Sequence, residues 1–439
     1  MAFVGTFYAF QQPKVQTYVV HKVSEYLSKQ LGSVVKVDSV SINFIRTVEI
    51  YNVYLSSKKS KTDTLLYVKK LDADLMIGKT LIEQITHIRQ SKFYIDNVAL
   101  DGVIFNGYRA ENDSTFNFSF IFEQFASKDK KPKPKTASKP IELQLNKVTL
   151  TNSHLVFDDH YGDKKMEIGL TKVYIDMEDF SLSPMKIKAK ELELVDPEFV
   201  YTMYHNKIKP KDTIPSKGFD VQGIGKKLNL IVDKITMTNG HYGMDMQKRN
   251  THAGTFQISQ MNFKNIITDF QNYRWDSTGM HVDIKNLSTD ADDNLHVKKL
   301  QANALLDNGG IYLDNAIINF NDTKMDANLS LQFLDEWRSF GSFEDKVIMK
   351  ADIRSASVKA KDVAVFAPMA EKYVPESIQM RGFVKGKLSN LKTENLYIAT
   401  GKNTVIDITG NIKGLPHVNQ TLFDLKVNEL RTNPSDLKS

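Results

Sequence analysis

The sequence has no cysteine among its 439 residues, which removes disulfides, zinc ribbons and thiol catalysis from consideration. That absence fits a reducing cytosol, and equally a compartment where a stray thiol would be oxidised. Only 9 of the 58 basic residues are arginine, the side chain that reads phosphates and base edges bidentately. The net charge of +6 is spread along the chain rather than gathered on one stretch, so composition argues against nucleic acid as a partner. Glycine (22) and proline (12) are sparse. What is present instead is Val, Ile, Thr, Phe (25) and Tyr (17) in short alternating runs that favour β-strands. With 41% hydrophobic residues the chain has enough apolar material to bury, and disorder is excluded for most of it.

Residues 1–12 carry no charge, yet they are too short for the roughly 20 apolar residues that cross a bilayer. They also lack the basic start of a signal peptide. They read either as a ragged terminus or, as favoured here, as the end of a truncated transmembrane anchor. Over residues 13–32 the apolar residues Val15, Tyr18, Val19, Val23, Tyr26, Leu27 and Leu31 fall three and four apart, which predicts an amphipathic helix. Pro13 suits its first turn and Gly32 the left-handed position just past its end.

Beyond Gly32 the period changes to two, and Val48 with Ile50, then Val53 with Leu55, read as successive strands joined by tight turns. Two stretches, Lys147 to Asp158 (KVTLTNSHLVFD) and Lys234 to Asp245 (KITMTNGHYGMD), match at six of twelve positions. Between them, Lys190 to Tyr201 (KELELVDPEFVY) shares the scheme of two alternating apolar residues, a turn and a second alternating pair. Repeats of about 40 residues predict units that pack mainly on their neighbours. This gives a first β section over 33–126, a Lys/Pro-rich linker over 127–140 that cannot form a ladder, and repeated β sections over 141–439. Phe116, Phe118, Phe120, Phe122 and Phe125 predict an aromatic strand or strand-to-helix segment. Asp362 to Tyr373 predicts a short helix capped by Asp362 and covering the end or edge of a sheet.

Chemistry-bearing constellations are weak. His154, Asp158, Asp159 and His160 make the best metal candidate, but His241 and Asp245 repeat the relation of His154 to Asp158, which reads as repeat surface, and no metal is assigned. Gly223 and Gly225 lack the third glycine of a dinucleotide loop, and there is no nucleophile elbow, zincin motif or P-loop. Neither catalytic residues nor a cofactor are assigned, and the chain is read as a non-enzyme.

The apolar end and helix (FVGTFYAFQQPKVQTYVVHKVSEYLSKQLG), the VKVDSVSINF and VEIYNVYL strands, LLYVKKLDADLMI, and FNFSFIFEQF followed by a charged linker and IELQLNKVTLTNSHLVFDD together carry a family resemblance. So do VKAKDVAVFAP and GFVKGKLSNLKTENLYI. The sequence resembles the AsmA-like/TamB family of bacterial envelope proteins, which shares its architecture with the bridge-like lipid-transfer proteins. The resemblance implies a mainly β fold: an elongated, twisted, repetitive sheet forming an apolar groove, with an N-terminal amphipathic helix and a few short capping helices. It implies an inner-membrane anchor, a body in the periplasm, and phospholipid as the partner. An outer-membrane β-barrel partner would be engaged through a C-terminal region this chain is expected to lack. Val148, Leu150, Leu155, Leu192, Leu194, Phe199, Ile235 and Met237 hold equivalent places in the three repeats and are expected to line that groove. Thr149, Thr151, Thr236 and Thr238 are expected to face the other way. The alternative is a scaffold or chaperone for the assembly of outer-membrane β-barrel proteins.

Overall fold

In the computed structural model the described residues are mainly strand, in one twisted, unclosed sheet of 19 strands with few short helices. The structure describes residues 13–43, 47–58, 63–75, 92–121, 142–182, 185–204, 220–246, 260–291, 294–336, 338–366, 368, 370–373, 375–434 and 436. The anchor expected over 1–12, the linker over 127–140, and Phe122 and Phe125 lie outside them. The chain divides into two units, one of Met1–Ile208 with Thr238–Lys248 and one of Lys209–Met237 with Arg249–Ser439.

The first unit opens with helix α1 (Pro13–Leu31), ended by Gly32 at φ +64°. Ser28 on α1 accepts from Val35 N at 2.9 Å and donates to Val35 O at 3.3 Å, fixing the helix to the first strand. The described side chains turn the helix differently from the periodicity: Val20 is buried, whereas Tyr18 is 63% exposed and Leu27 is exposed as well. Then come β1 (Val35–Lys36), β2 (Ser39–Asn43), β3 (Thr47–Ser56), β4 (Thr64–Leu75), β5 (Lys92–Arg109), β6 (Glu142–Asp159), β7 (Lys164–Leu182) and β8 (Met185–Met203). Strands β2 to β5 and β6 to β8 are antiparallel neighbours, while β5 and β6 pair in parallel. In this parallel register β6 starts beside the start of β5, Glu142 opposite Lys92.

Two expectations are corrected here. Val48 to Leu55 is one strand rather than two, and Lys147 to Asp158 and Lys190 to Tyr201 run through without a turn. The Asn, Asp or Gly that reads as a turn residue instead takes a left-handed backbone inside the strand. Of the two readings of the aromatic segment, the one that leads into a helix holds: Phe116 to Phe118 pass through a turn and Ser119 to Ile121 begin a helical turn.

The second unit contains helix α2 (Val221–Leu228), and β9 (Leu230–Asp245) contributes its first half here and its second half to the first unit. Strands β10 (Gln260–Asp276), β11 (Gly279–Ala291), β12 (Leu295–Asp307), β13 (Gly310–Phe320), β14 (Thr323–Phe333), β15 (Val347–Lys359), β16 (Ser377–Lys387), β17 (Asn390–Thr400), β18 (Thr404–Lys413) and β19 (Leu422–Arg431) follow as an antiparallel meander. Three short helices, α3 (Phe343–Lys346), α4 (Ala360–Ala364) and α5 (Ala370–Tyr373), interrupt it. Asp362 lies inside α4 rather than at its cap. It is buried, and its carboxylate accepts from Thr323 Oγ1 at 2.8 Å and Asp322 N at 3.0 Å, tying the helix to the β13–β14 turn. Gly225 of α2 belongs to packing rather than to a nucleotide loop, because a Cβ there would stand 2.1 Å from Asp276 O.

Candidate apolar site on the sheet

Directly opposed residues in a strand pair share a face, so register alone sorts the first unit's side chains. One row runs from β3 to β8 through Val48, Ala73, Val98, Val148, Ile175 and Leu192. A second runs beside it through Val40, Ile50, Leu71, Leu100, Leu150, Val173 and Leu194. A third crosses from β3 to β8 through Leu55, Leu66, Phe105, Leu155, Ile168 and Phe199. Phe199 stacks on Tyr242 of β9, ring centroids 5.6 Å apart.

Leu150 and Leu155 are five residues apart, and strict alternation would put them on opposite faces. Thr151 Oγ1 and Asn152 Nδ2 both donate to Asp101 Oδ1, at 2.9 and 2.7 Å, so two successive side chains leave the strand on the same side. Asn152 has φ 49°, and its left-handed backbone absorbs the extra residue and restores Leu155 to the side of Leu150. The same device recurs at Asn52 (φ 53°), Gly102 (φ 65°), Asp196 (φ 45°) and Asn239 (φ 52°). At Gly102 a Cβ would come within 2.8 Å of Lys69 Cβ, which suits glycine there. Polar bonds on the outer face hold this column: Asn52 Nδ2 to Asp38 at 2.8 Å, Tyr67 OH to Asn52 at 2.6 Å and Asn239 Nδ2 to Asp196 at 2.7 Å.

The opposite face is charged and paired. Thr149 opposes Tyr174, which opposes Glu193. Lys172 reaches Glu193 at 2.9 Å, and Lys70 reaches Glu49 at 3.1 Å and Asp72 at 2.9 Å, which raises the Lys70 pKa through hydrogen bonds to Asp72 and Glu49. The Asp101 carboxyl is held below its ordinary range by hydrogen bonds from Asn152 and Thr151. His160 approaches Asp158 at 3.2 Å and stacks on Tyr204, whose phenol is pushed up to about 12 by burial and by Asp158. Asp159 turns instead to Arg109, so the sequence-level metal candidate is split, and no group of three ligating side chains occurs among the described residues.

Among the described residues, covering of the apolar face is local. At one end Val35, Leu55, Leu65 and Phe120 form a buried cluster with Leu31, Phe105 and Phe118 packed against it. Phe118 lies 5.4 Å from Phe105 and 6.2 Å from Phe157, so the aromatic segment sits on the third row. Away from this cluster Val148, Leu150, Leu192 and Leu194 are half-buried. Ile235 and Met237, also half-buried, stand on the part of β9 that belongs to the second unit, and the rows of the first unit are drawn only to β8. The repeats pointed to β6, β8 and β9. They missed Ile168, Val173 and Ile175 on β7 and the matching residues of β2 to β5, although the spacing of apolar residues five apart around an Asn, Asp or Gly marks β3 and β5 as clearly as β6.

The second unit is sorted in the same way. Met280, Leu306, Ile311, Leu331, Met349, Gly386, Leu391, Ile412 and Phe423 make one row from β11 to β19. Leu287, Leu300, Ile318, Met325, Ala356, Met380, Ile398, Ile406 and Leu430 make another. Val363 of α4 packs over part of this face, against Ala327, Ile353, Ala356 and Val358. A cleft of about 490 Å³ also occurs in this unit, among His281, Asp283, Asn303, Tyr312, Asp314 and Lys350. Among the described residues no helix is long and apolar enough to cross a membrane. Comparison with family models, curated proteins and solved structures returns no match.

Proposed function

We propose that this chain carries phospholipid between the inner and outer membranes of a bacterium, with acyl chains lying along the apolar rows of its sheet. The supporting observation is that apolar residues stay in register from strand to strand, from β2 to β8 and from β11 to β19, while the opposite face of the first unit is ion-paired. An acyl chain of about 16 methylenes costs on the order of 13 kcal/mol to pass bare through water, at about 0.8 kcal/mol per methylene. A row of Val, Leu and Ile crossing the strands offsets most of that cost and requires no catalytic group. On this reading the body lies in the periplasm, held at the inner membrane by an N-terminal anchor, and an outer-membrane β-barrel protein receives the far end.

Photo-crosslinking side chains at Leu150, Leu192 and Leu194 test it in cells, with Thr149 and Glu193 as controls on the other face. Phospholipid attached at the first set and absent from the second is the expected result. Equal labelling of both sets, or none, would remove the lipid reading, and polypeptide attached at the first set would put the scaffold reading in its place.

A further inference from the structure

The cleft of about 490 Å³ lies wholly within the second unit and falls in the size range of small-ligand sites, about 300–1,000 Å³. Register places it on one face of the sheet. His281, Leu305, Tyr312, Ser330 and Lys350 oppose one another from β11 to β15, and Asp283, Asn303 and Asp314 do so from β11 to β13. The two rows stand two residues apart on each of those three strands, so they share a face, and it is the face opposite the apolar row through Met280, Leu306, Ile311, Leu331 and Met349. Asn272 (φ 54°) and Asn315 (φ 52°) take left-handed backbones on β10 and β13 beside it, and bulges of this kind bend a strand and re-aim its side chains.

Many carboxylates of this unit are already engaged: Asp290 by His296 at 2.9 Å, Asp322 by Lys361 at 2.6 Å and Asp335 by Lys346 at 3.1 Å. Within the cleft, Asp283 likewise accepts from Asn272 Nδ2 at 2.8 Å. Its other polar groups are not engaged in this way. Asn303 and Asp314 are exposed, and among the described residues neither side chain has a hydrogen bond or ion pair. Lys350 rests its ammonium over the Phe383 ring, 5.7 Å from the centroid, with no carboxylate in ion-pair contact among the described residues. The Ser330 hydroxyl is shut off from solvent without a partner, and a buried polar group calls for one.

We infer that this cleft binds a neutral carbohydrate, through one or two pyranose rings. A sugar hydroxyl both donates and accepts, so it needs acceptors and donors interspersed. Asp314 accepts, Lys350 donates, and Asn303 and Ser330 do both. Leu305, between the rings of His281 and Tyr312 in its row, offers an apolar strip to the C–H face of a sugar. An anion is disfavoured, because two carboxylates, Asp283 and Asp314, stand against one ammonium, Lys350. The inference is independent of lipid carriage, which uses the opposite face of the sheet.

Calorimetric titration of the full chain with glucose, galactose, mannose, N-acetylglucosamine, maltose, cellobiose and lactose tests it, with inorganic phosphate and phosphoethanolamine as charged probes. At least one neutral sugar is expected to bind with a millimolar or tighter dissociation constant. Asp314→Ala is expected to weaken that binding about tenfold and Asn303→Ala about threefold, the difference between losing a charged and a neutral hydrogen bond. Both side chains are exposed and unpartnered, so the unfolding midpoint should stay at the wild-type value and separate lost binding from lost fold. Failure of every neutral sugar to bind overturns the inference. So does tighter binding of either charged probe than of any sugar, or sugar binding that both substitutions leave unchanged.

Discussion

Arg109 closes β5 and Asp159 closes β6, and the parallel register sets them side by side. The Asp159 carboxylate, only 2% exposed, accepts from Arg109 Nε at 2.7 Å, from Nη2, and from Gly162 N at 2.8 Å. The guanidinium lies 4.5 Å from the Phe116 ring and 4.9 Å from the Tyr161 ring, so both its charge and its plane are used. Burial pushes the Asp159 carboxyl up, but the bonds from Arg109 and Gly162 prevail and leave its pKa below the ordinary value. A carboxyl with a depressed folded-state pKa stabilises the fold above its unfolded pKa of about 3.9, and that contribution is lost as pH falls through the folded value. Replacing Arg109 with Met keeps the packing volume and strands a buried carboxylate. The expected loss is about 3 kcal/mol in urea unfolding at pH 7, shrinking at acid pH as the stranded carboxylate takes up a proton. A loss unchanged at low pH would show that packing of Arg109 on its aromatic neighbours, not its charge, carries the effect.

At the scale of the strand, the left-handed residue decides which side chains meet. Asn152→Gly keeps φ accessible and loses one side-chain bond to Asp101, whereas Asn152→Val forces a β-branched residue into the left-handed region. Thermal unfolding is expected to show Asn152→Val less stable than Asn152→Gly by about 1–2 kcal/mol. Similar stability for the two would mean that the strand relaxes to ordinary alternation there. This column also explains what was legible in the sequence. Period-two runs and the 44- and 43-residue steps from Val148 to Leu192 to Ile235 are visible because both faces of the strand are chemically distinct. The Asn and Asp inside each repeat looked like a turn because a left-handed residue is the signature of both a turn and a bulge, and only the ladder on either side tells them apart. The described part of α1 departs from the periodicity for another reason. Among the described side chains its inner side carries Val20, Leu31 and Ser28, bonded to Val35, and Tyr18 is left in solvent. Asp362 was read as a cap from its place before an apolar run, yet its partners Thr323 and Asp322 are about forty residues away and invisible to local pattern.

At the scale of the molecule, under the proposed lipid-carrying function each apolar row is only as useful as its least apolar member. In the second row of the first unit, Leu150 lies between Leu100 and Val173. Leu150→Asp would put a charge there in a half-buried position, where water still solvates the carboxylate and the strand keeps its ladder on both sides. An acyl chain passing that point loses apolar contact over several methylenes. At about 0.8 kcal/mol each this raises the barrier by several kcal/mol, or two or more orders of magnitude in rate. Transfer of fluorescent phospholipid between donor and acceptor vesicles by the full chain is expected to fall accordingly for Leu150→Asp. Thr149→Asp, one residue away on the polar face, should leave transfer within about twofold, because no acyl contact is removed there. Circular dichroism separates the cause: both variants should retain the wild-type strand signal, so that lost transfer with intact sheet marks a blocked row. Equal transfer by the two variants would detach the apolar rows from lipid movement.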